Sequence, residues 1–228
     1  MSGVFVTGTD TGVGKTRVAV ALIHSLRAQG LRVAAMKPVS AGSGPGELNE
    51  DVVALMQAAN VTSDVADVNP YAFAEPIAPH IAARQAGVTI ELSVIAAAYT
   101  RLAATADVVV VEGAGGWRVP LNEREDMADL AQRLGLPVVL VVGLRLGCLN
   151  HAVLSAEAIM ARDIPWGGWV GNHVDPLMAQ QQANIEALGR RLPGPCLGMQ
   201  DYQPAPPVRR GAAEWLELPP ELVFKNTQ

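Results

Sequence analysis

One run constrains this chain more than any other: Gly8-Thr9-Asp10-Thr11-Gly12-Val13-Gly14-Lys15-Thr16 follows a short β-branched stretch, residues 4–7, and leads straight into a segment with helical spacing. Strand, glycine loop and helix in that order aim backbone N–H groups and a helix N-terminus at one point, and the glycines let the main chain approach a phosphate closely. The run resembles the Walker A pattern, with its opening glycine one residue further from Gly-Lys-Thr than usual. In that arrangement Lys15 reaches the β- and γ-phosphates and the Thr16 hydroxyl completes a Mg²⁺ shell. A tight turn with an exposed lysine is the plain alternative, and the strand–loop–helix context argues against it.

The rest of the chain repeats the same alternation. Residues 15–29 carry Val18, Leu22 and Leu26 on one helical stripe, closed by Gly30, and residues 31–36 read as a second strand. The stretch 38–50, rich in Gly, Pro and Ser, reads as a loop, and 51–59 and 77–85 as short helices. Beyond them, helices are expected over 90–106, 127–134, 149–162 and 180–192, and strands over 108–111, 138–142 and 166–171. A weaker strand follows 193–198, then a loop at 204–207 and a last helical turn or two at 211–217. The pattern predicts one α/β domain over residues 1–228: a doubly wound, mostly parallel sheet with helices on both faces, like that of P-loop NTPases.

Half of the 228 residues are hydrophobic, which suits a large aliphatic core. With a net charge of −5 and no basic run, the chain lacks a broad electrostatic footprint for nucleic acid or a membrane surface. Its two cysteines, Cys148 and Cys196, are far apart and form no zinc motif. Met1 leads directly into the first strand without the regions of a signal peptide, and the apolar runs are far shorter than the ~20 residues of a membrane span, so a soluble cytoplasmic protein is expected.

Two further features sit where strands end. Residues 108–111 run into Glu112-Gly113-Ala114-Gly115-Gly116, placing an acid where a parallel sheet meets its ligand crevice. By itself it is a solvated carboxylate; beside a phosphate loop it becomes a candidate Mg²⁺ ligand. Lys37, directly after the second strand in Met36-Lys37-Pro38-Val39, emerges at the same edge as Lys15, where two ammonium groups serve phosphoryl transfer by neutralising charge.

Gly8–Thr16, Lys37-Pro38-Val39, Asn69-Pro70-Tyr71, Glu75-Pro76 through Pro79-His80, Glu112–Gly116 and Gly147-Cys148-Leu149-Asn150-His151, in this order, resemble the motifs of the dethiobiotin synthetases over residues 3–198. The resemblance implies an ATP- and Mg²⁺-dependent ligase that closes a ring from 7,8-diaminononanoate and CO₂ with release of ADP and phosphate. It implies Thr16, Asp51 and Glu112 as Mg²⁺ ligands and Thr11, Lys15 and Lys37 as contacts of the reacting groups. Nucleotide contacts are implied at Gly12, Val13, Gly14, Arg17, Gly113, Ala114, Gly115, Asn172, Asp201, Tyr202 and Gln203. Substrate contacts are implied at Ser40 and Ala41, and at Leu146, Gly147, Cys148, Leu149 and Asn150, the latter group reaching a carboxylate across the interface of a homodimer.

The chain departs from that family in three places. Ala41 stands where a hydroxyl is usual and Ser40 carries one instead; Ala78 replaces a serine; and Met199-Gln200-Asp201-Tyr202 follows Gly198 where the family usually has an Ile-Pro pair, in the stretch expected to close over the base. Two other readings share the architecture. A cobyrinic or cobyric acid synthase adds an amidotransferase domain for which 228 residues leave no room, and a partitioning-type ATPase switch wants a basic surface or an amphipathic tail.

Overall fold

The computed structural model of the protein describes residues 3–44, 46–202 and 215–218. Six strands, of which all but the edge strand β8 are buried along almost their whole length, form one sheet: β1 (Gly3–Gly8), β2 (Val33–Met36), β5 (Val108–Glu112), β6 (Val138–Leu144), β7 (Trp166–His173) and β8 (Cys196–Gln200). Their order is β2-β5-β1-β6-β7-β8 and every neighbouring pair is parallel, as continuous apolar runs such as Val108–Val111 require. The doubly wound expectation therefore holds.

Between the strands run α1 (Lys15–Ala28), α2 (Glu50–Ala58), α3 (Val65–Val68), α4 (Pro79–Gln85), α5 (Leu92–Thr105), α6 (Met127–Leu134), α7 (Cys148–Met160) and α8 (Gln181–Arg191). Alternate residues of the strands feed two cores. Val4, Val6, Val110 and Val141 pack against Val18, Leu22 and Leu26 of α1, while Phe5, Val109, Val111 and Leu140 pack against the helices of the other face, including Ile95 of α5 and Leu130 of α6. After β1 the chain turns to β2 on one side, and β6 takes the other side. The carboxyl end of β1 is thus a point where the winding reverses, the place such sheets bind ligands.

The segment expected to be a loop over 38–50 begins instead with β3 (Val39–Ala41), which pairs in parallel with β4 (Tyr71–Phe73) in a two-stranded sheet of its own. Three-residue strands are too short to show a period, and the Gly, Pro and Ser of 42–46 dominate the composition there. Of the turn expected at 211–217, the described part, 215–217, contains an isolated antiparallel bridge between Leu216 and Gly198; the stretch 204–207 lies outside the described residues. No helix among the described residues is long and apolar enough to cross a membrane.

Candidate active site

The glycine loop ends at Gly14, whose φ of 89° is open to glycine and strained for other residues. Space gives a second reason, because a Cβ there would lie 2.0 Å from the Asn172 side-chain nitrogen. That nitrogen donates to the Val13 carbonyl at 2.8 Å, so the far strand β7 pins the loop at the base of α1. Lys15 curls back over the loop and donates to the Asp10 carbonyl at 3.0 Å, while Arg145 pairs with the Asp10 carboxylate at 2.5 Å.

Around the first turn of α1 four side chains converge. The Thr16 hydroxyl is 2.7 Å from Asp51 Oδ1 and 3.0 Å from Glu112 Oε1. The Lys37 ammonium donates to Asp51 Oδ2 at 3.0 Å and pairs with Glu112 Oε1. Lys37 and Glu112 are buried, whereas Asp51 keeps its side chain 43% exposed toward an open cleft of about 810 Å³. The cleft is lined by Thr11, Gly12, Gly14, Lys15, Thr16 and Arg17 from the loop and helix, and by Lys37, Ser40, Ala41, Asp51, Glu112, Ala114 and Gly115 across from them.

The electrostatics follow from burial and pairing. Burial, helped by the Lys37 charge, pushes Lys15 down to about 8. Burial also pulls on Lys37, but the Glu112 and Asp51 carboxylates outweigh it and hold its pKa above that of a free lysine. For Asp51 burial is outweighed by Lys37 and by the Thr16 hydroxyl, and its pKa falls. Glu112 moves up, because it is wholly buried and Asp51 lies beside it.

A hard divalent cation suits this donor set. Thr16, Asp51 and Glu112 offer oxygen only, and Glu112 Oε2 is buried without a hydrogen-bond partner. In the protein alone the Lys37 ammonium supplies the positive charge between the two carboxylates. Mg²⁺ keeps several waters and takes one or two carboxylates plus phosphate oxygens, which matches Asp51 and Glu112 beside the Thr16 hydroxyl.

Residues 2–205 match the family described as an AAA domain. The ATP-dependent dethiobiotin synthetase BioD of Nitrosospira multiformis is 54% identical over 200 residues, 88% of each chain, and that of Xylella fastidiosa 51% identical over 207 residues, 90% of this chain and 92% of its own. This chain belongs to the dethiobiotin synthetase family. It is therefore a ligase. Among solved structures, the MinD cell division protein of Aquifex aeolicus superposes with a TM-score of 0.54 at 14% identity, covering 90% of this chain and 84% of its own. MinD of Pyrococcus horikoshii, complexed with Mg-ADP, gives 0.54 at 13% identity, covering 87% and 80%. At such identities the likeness shows the P-loop NTPase fold alone.

Not every residue implied by the dethiobiotin synthetase motifs lines the cleft. Val13 is buried, with its side chain between Gly8 and Gly143, and Gly113 packs on Phe5 and Met127. Asn172 is 3% exposed behind the loop, and Asp201 and Tyr202 are exposed just past β8; Gln203 lies outside the described residues. Leu146 and Gly147 lead into α7 and Cys148, Leu149 and Asn150 open it, all outside the lining of this cleft. The helix begins after Gly147 with no side-chain cap, so Asn150 and His151 sit in the first turn instead of capping it.

Ser40 does not replace the hydroxyl missing at Ala41. Successive strand residues face opposite ways, and the Ser40 hydroxyl is buried and donates to Asn69 Oδ1 at 2.8 Å. Asn69 was legible only as part of a motif, with no role attached. Its amide nitrogen donates to the Lys37 carbonyl at 2.6 Å and the Tyr71 carbonyl at 3.2 Å, fastening the backbone that carries Lys37. Asn49 does the same for Asp51: it caps α2 by accepting from the Asp51 N–H at 3.0 Å and donates to the Ala41 carbonyl. An Asn directly before Glu50-Asp51 is an N-cap signature that identifies it from sequence.

Proposed function

We propose that this chain converts 7,8-diaminononanoate, CO₂ and ATP into dethiobiotin, ADP and phosphate. One amine adds to CO₂ and loses a proton, giving a carbamate; a carbamate oxygen attacks the γ-phosphorus and ADP leaves. The second amine then attacks the carbonyl carbon of this carbamic-phosphoric anhydride, the C–O bond to phosphate breaks, and the ring closes. The observation that carries the reading is the convergence of Lys15, Lys37, Thr16, Asp51 and Glu112 in one cleft at the carboxyl edge of the sheet.

The residues take these roles. A carbamate is a weak, anionic nucleophile approaching an anionic phosphate, so the barrier falls chiefly through fixed positive charge and positioning. Lys37 neutralises the carbamate and the transferring phosphoryl group, and Lys15 bridges the β- and γ-phosphates. Thr11, Gly12, Val13 and Gly14 offer loop N–H groups, with Arg17, Ala114 and Gly115 completing the walls. Thr16, Asp51 and Glu112 hold Mg²⁺, which when bound screens the phosphate charge. Asn172 meets adenine: its nitrogen is spent on Val13, and its buried oxygen has no partner and is left to accept from the base. Asp201 and Tyr202 lie further along the same side, past the end of β8.

The protein acts as a cytoplasmic homodimer in this reading. Leu146 is 91% exposed and Leu154, two turns along α7, 56% exposed. An apolar stripe that begins at the bare N–H groups of α7 suits a second copy, which would bring Leu146–Asn150 and the substrate carboxylate to its neighbour's cleft. The test is turnover. Purified protein with Mg²⁺ and ATP should release phosphate only when diamine and bicarbonate are both present, and ATP hydrolysis indifferent to the diamine would refute it.

A further inference from the structure

The pairing of β7 with β8 sets Gly171 against Met199 and Asn172 against Gln200. A Cβ on Gly171 would come 2.3 Å from the Met199 sulfur, so these two positions share one face of the sheet. Asn172 and Gln200 share the other, the face that α1 covers. Neighbouring strands lie about 4.8 Å apart, so paired residues on one face of this parallel pair lie within reach of a common partner.

Both amides are buried, 3% and 6% exposed, and both have an oxygen without a hydrogen bond: Asn172 Oδ1 and Gln200 Oε1. A buried acceptor left unpaired is costly, and two side by side at the ligand edge of a sheet ask for a donor from outside the protein. The orientation of Asn172 is fixed, because its nitrogen donates to Val13 in the glycine loop. The charged cluster lies on the β5 and β2 side of that loop. A nucleotide whose phosphates sit on the loop therefore extends its base the other way, over β7 and β8.

We infer that Gln200, together with Asn172, reads the exocyclic amino group of the nucleobase. One amino group carries two N–H bonds, and the two orphaned oxygens accept one each. A base with an oxygen in that place leaves both acceptors unpaired and brings a third acceptor against them. Gln200 thus becomes a specificity residue. The inference rests on the nucleotide-binding reading above and names which bases that site admits.

The test compares ATP with inosine triphosphate, which carries an oxygen where adenine carries its amino group, using the full-length protein with Mg²⁺, diamine and bicarbonate. Wild type should favour ATP in kcat/KM by about 100-fold, roughly tenfold per hydrogen bond. Gln200→Leu and the near-isosteric Gln200→Met should each cut that ratio about tenfold, read as a higher KM for ATP, with inhibition by inorganic tripolyphosphate unchanged. Both variants should melt no lower than wild type, since they remove an unpaired buried amide. An unchanged ratio, or a lower melting temperature in both variants, overturns the role of Gln200 and leaves the nucleotide site standing. A wild type that binds neither ATP nor tripolyphosphate overturns both readings.

Discussion

A lysine held at a pKa of about 8 in the free protein must take up a proton when a triphosphate arrives. Lys15 is only 6% exposed, and both burial and the Lys37 charge work against its ammonium form. A triphosphate alongside reverses the balance and returns Lys15 to full protonation. At pH 7 about a tenth of the free protein has a neutral Lys15, at pH 8 about half and at pH 9 about nine-tenths, so uptake per nucleotide should follow those fractions. Affinity should weaken by nearly tenfold, about 1.4 kcal/mol, for each pH unit above 8. Calorimetric titration in two buffers of different ionisation enthalpy reads the uptake directly. Lys15→Arg serves as control, because a guanidinium stays protonated throughout.

The same lysine makes stability depend on pH. In the free protein the folded state releases the Lys15 proton near pH 8 and the unfolded chain only near 10.5. Between these values the unfolded state binds more protons, and stability from this group rises with pH, by about 3 kcal/mol in all. With nucleotide bound the gain should vanish, and the thermal shift given by ATP should shrink from pH 8 to pH 10. Proton uptake below about 0.2 at pH 8.5, or equal uptake in Lys15→Arg, would refute the reasoning.

The other perturbations act on the buried pair and on α7. Lys37→Gln should abolish ring closure and also lower stability by about 3 kcal/mol, because it strands Glu112 without its cation; for a chain of this size that is roughly 6–12 °C of melting temperature. Adding Glu112→Gln should restore the melting temperature without restoring turnover, and a single variant that melts like wild type would show that the pair carries little. Leu154→Glu should convert a dimer into monomers in sedimentation velocity and reduce turnover in proportion; a monomeric wild type with full activity would remove the shared site.

The sheet was legible because its strands are buried on both faces: Val108–Val111 has no polar alternative, and Trp166–Gly171 differs from β7 only at its ligand end. What sequence could not reveal was mostly structure made by distant pairing. β3 and β4 are three residues each, and their partner choice rests on Asn69, whose side chain joins Lys37, Ser40 and Tyr71. Asp51 reads as an ordinary acid at a helix start. Its place beside Thr16, 35 residues earlier, depends on the Asn49 cap that holds α2 to the end of β3.

Lys37 shows how register does chemical work. β2 pairs with β5 so that Met36 lies opposite Val111, which makes Lys37 and Glu112 the next pair along. Because side chains alternate faces, a slip of one residue would send one of the two to the opposite face and leave a charge buried alone. The apolar residues that set the register, Val33 to Met36 against Val108 to Val111, have no contact with the reacting groups. They nevertheless bring a cation and an acid 75 residues apart into one pair. The same sheet carries Asn172 to the back of the glycine loop, 159 residues from the Val13 carbonyl it bonds. Strand pairing thus places both the Lys37 cluster and the anchor of the glycine loop, and a substitution that shifts β5 in its register should damage the Lys37 cluster before it unfolds the sheet.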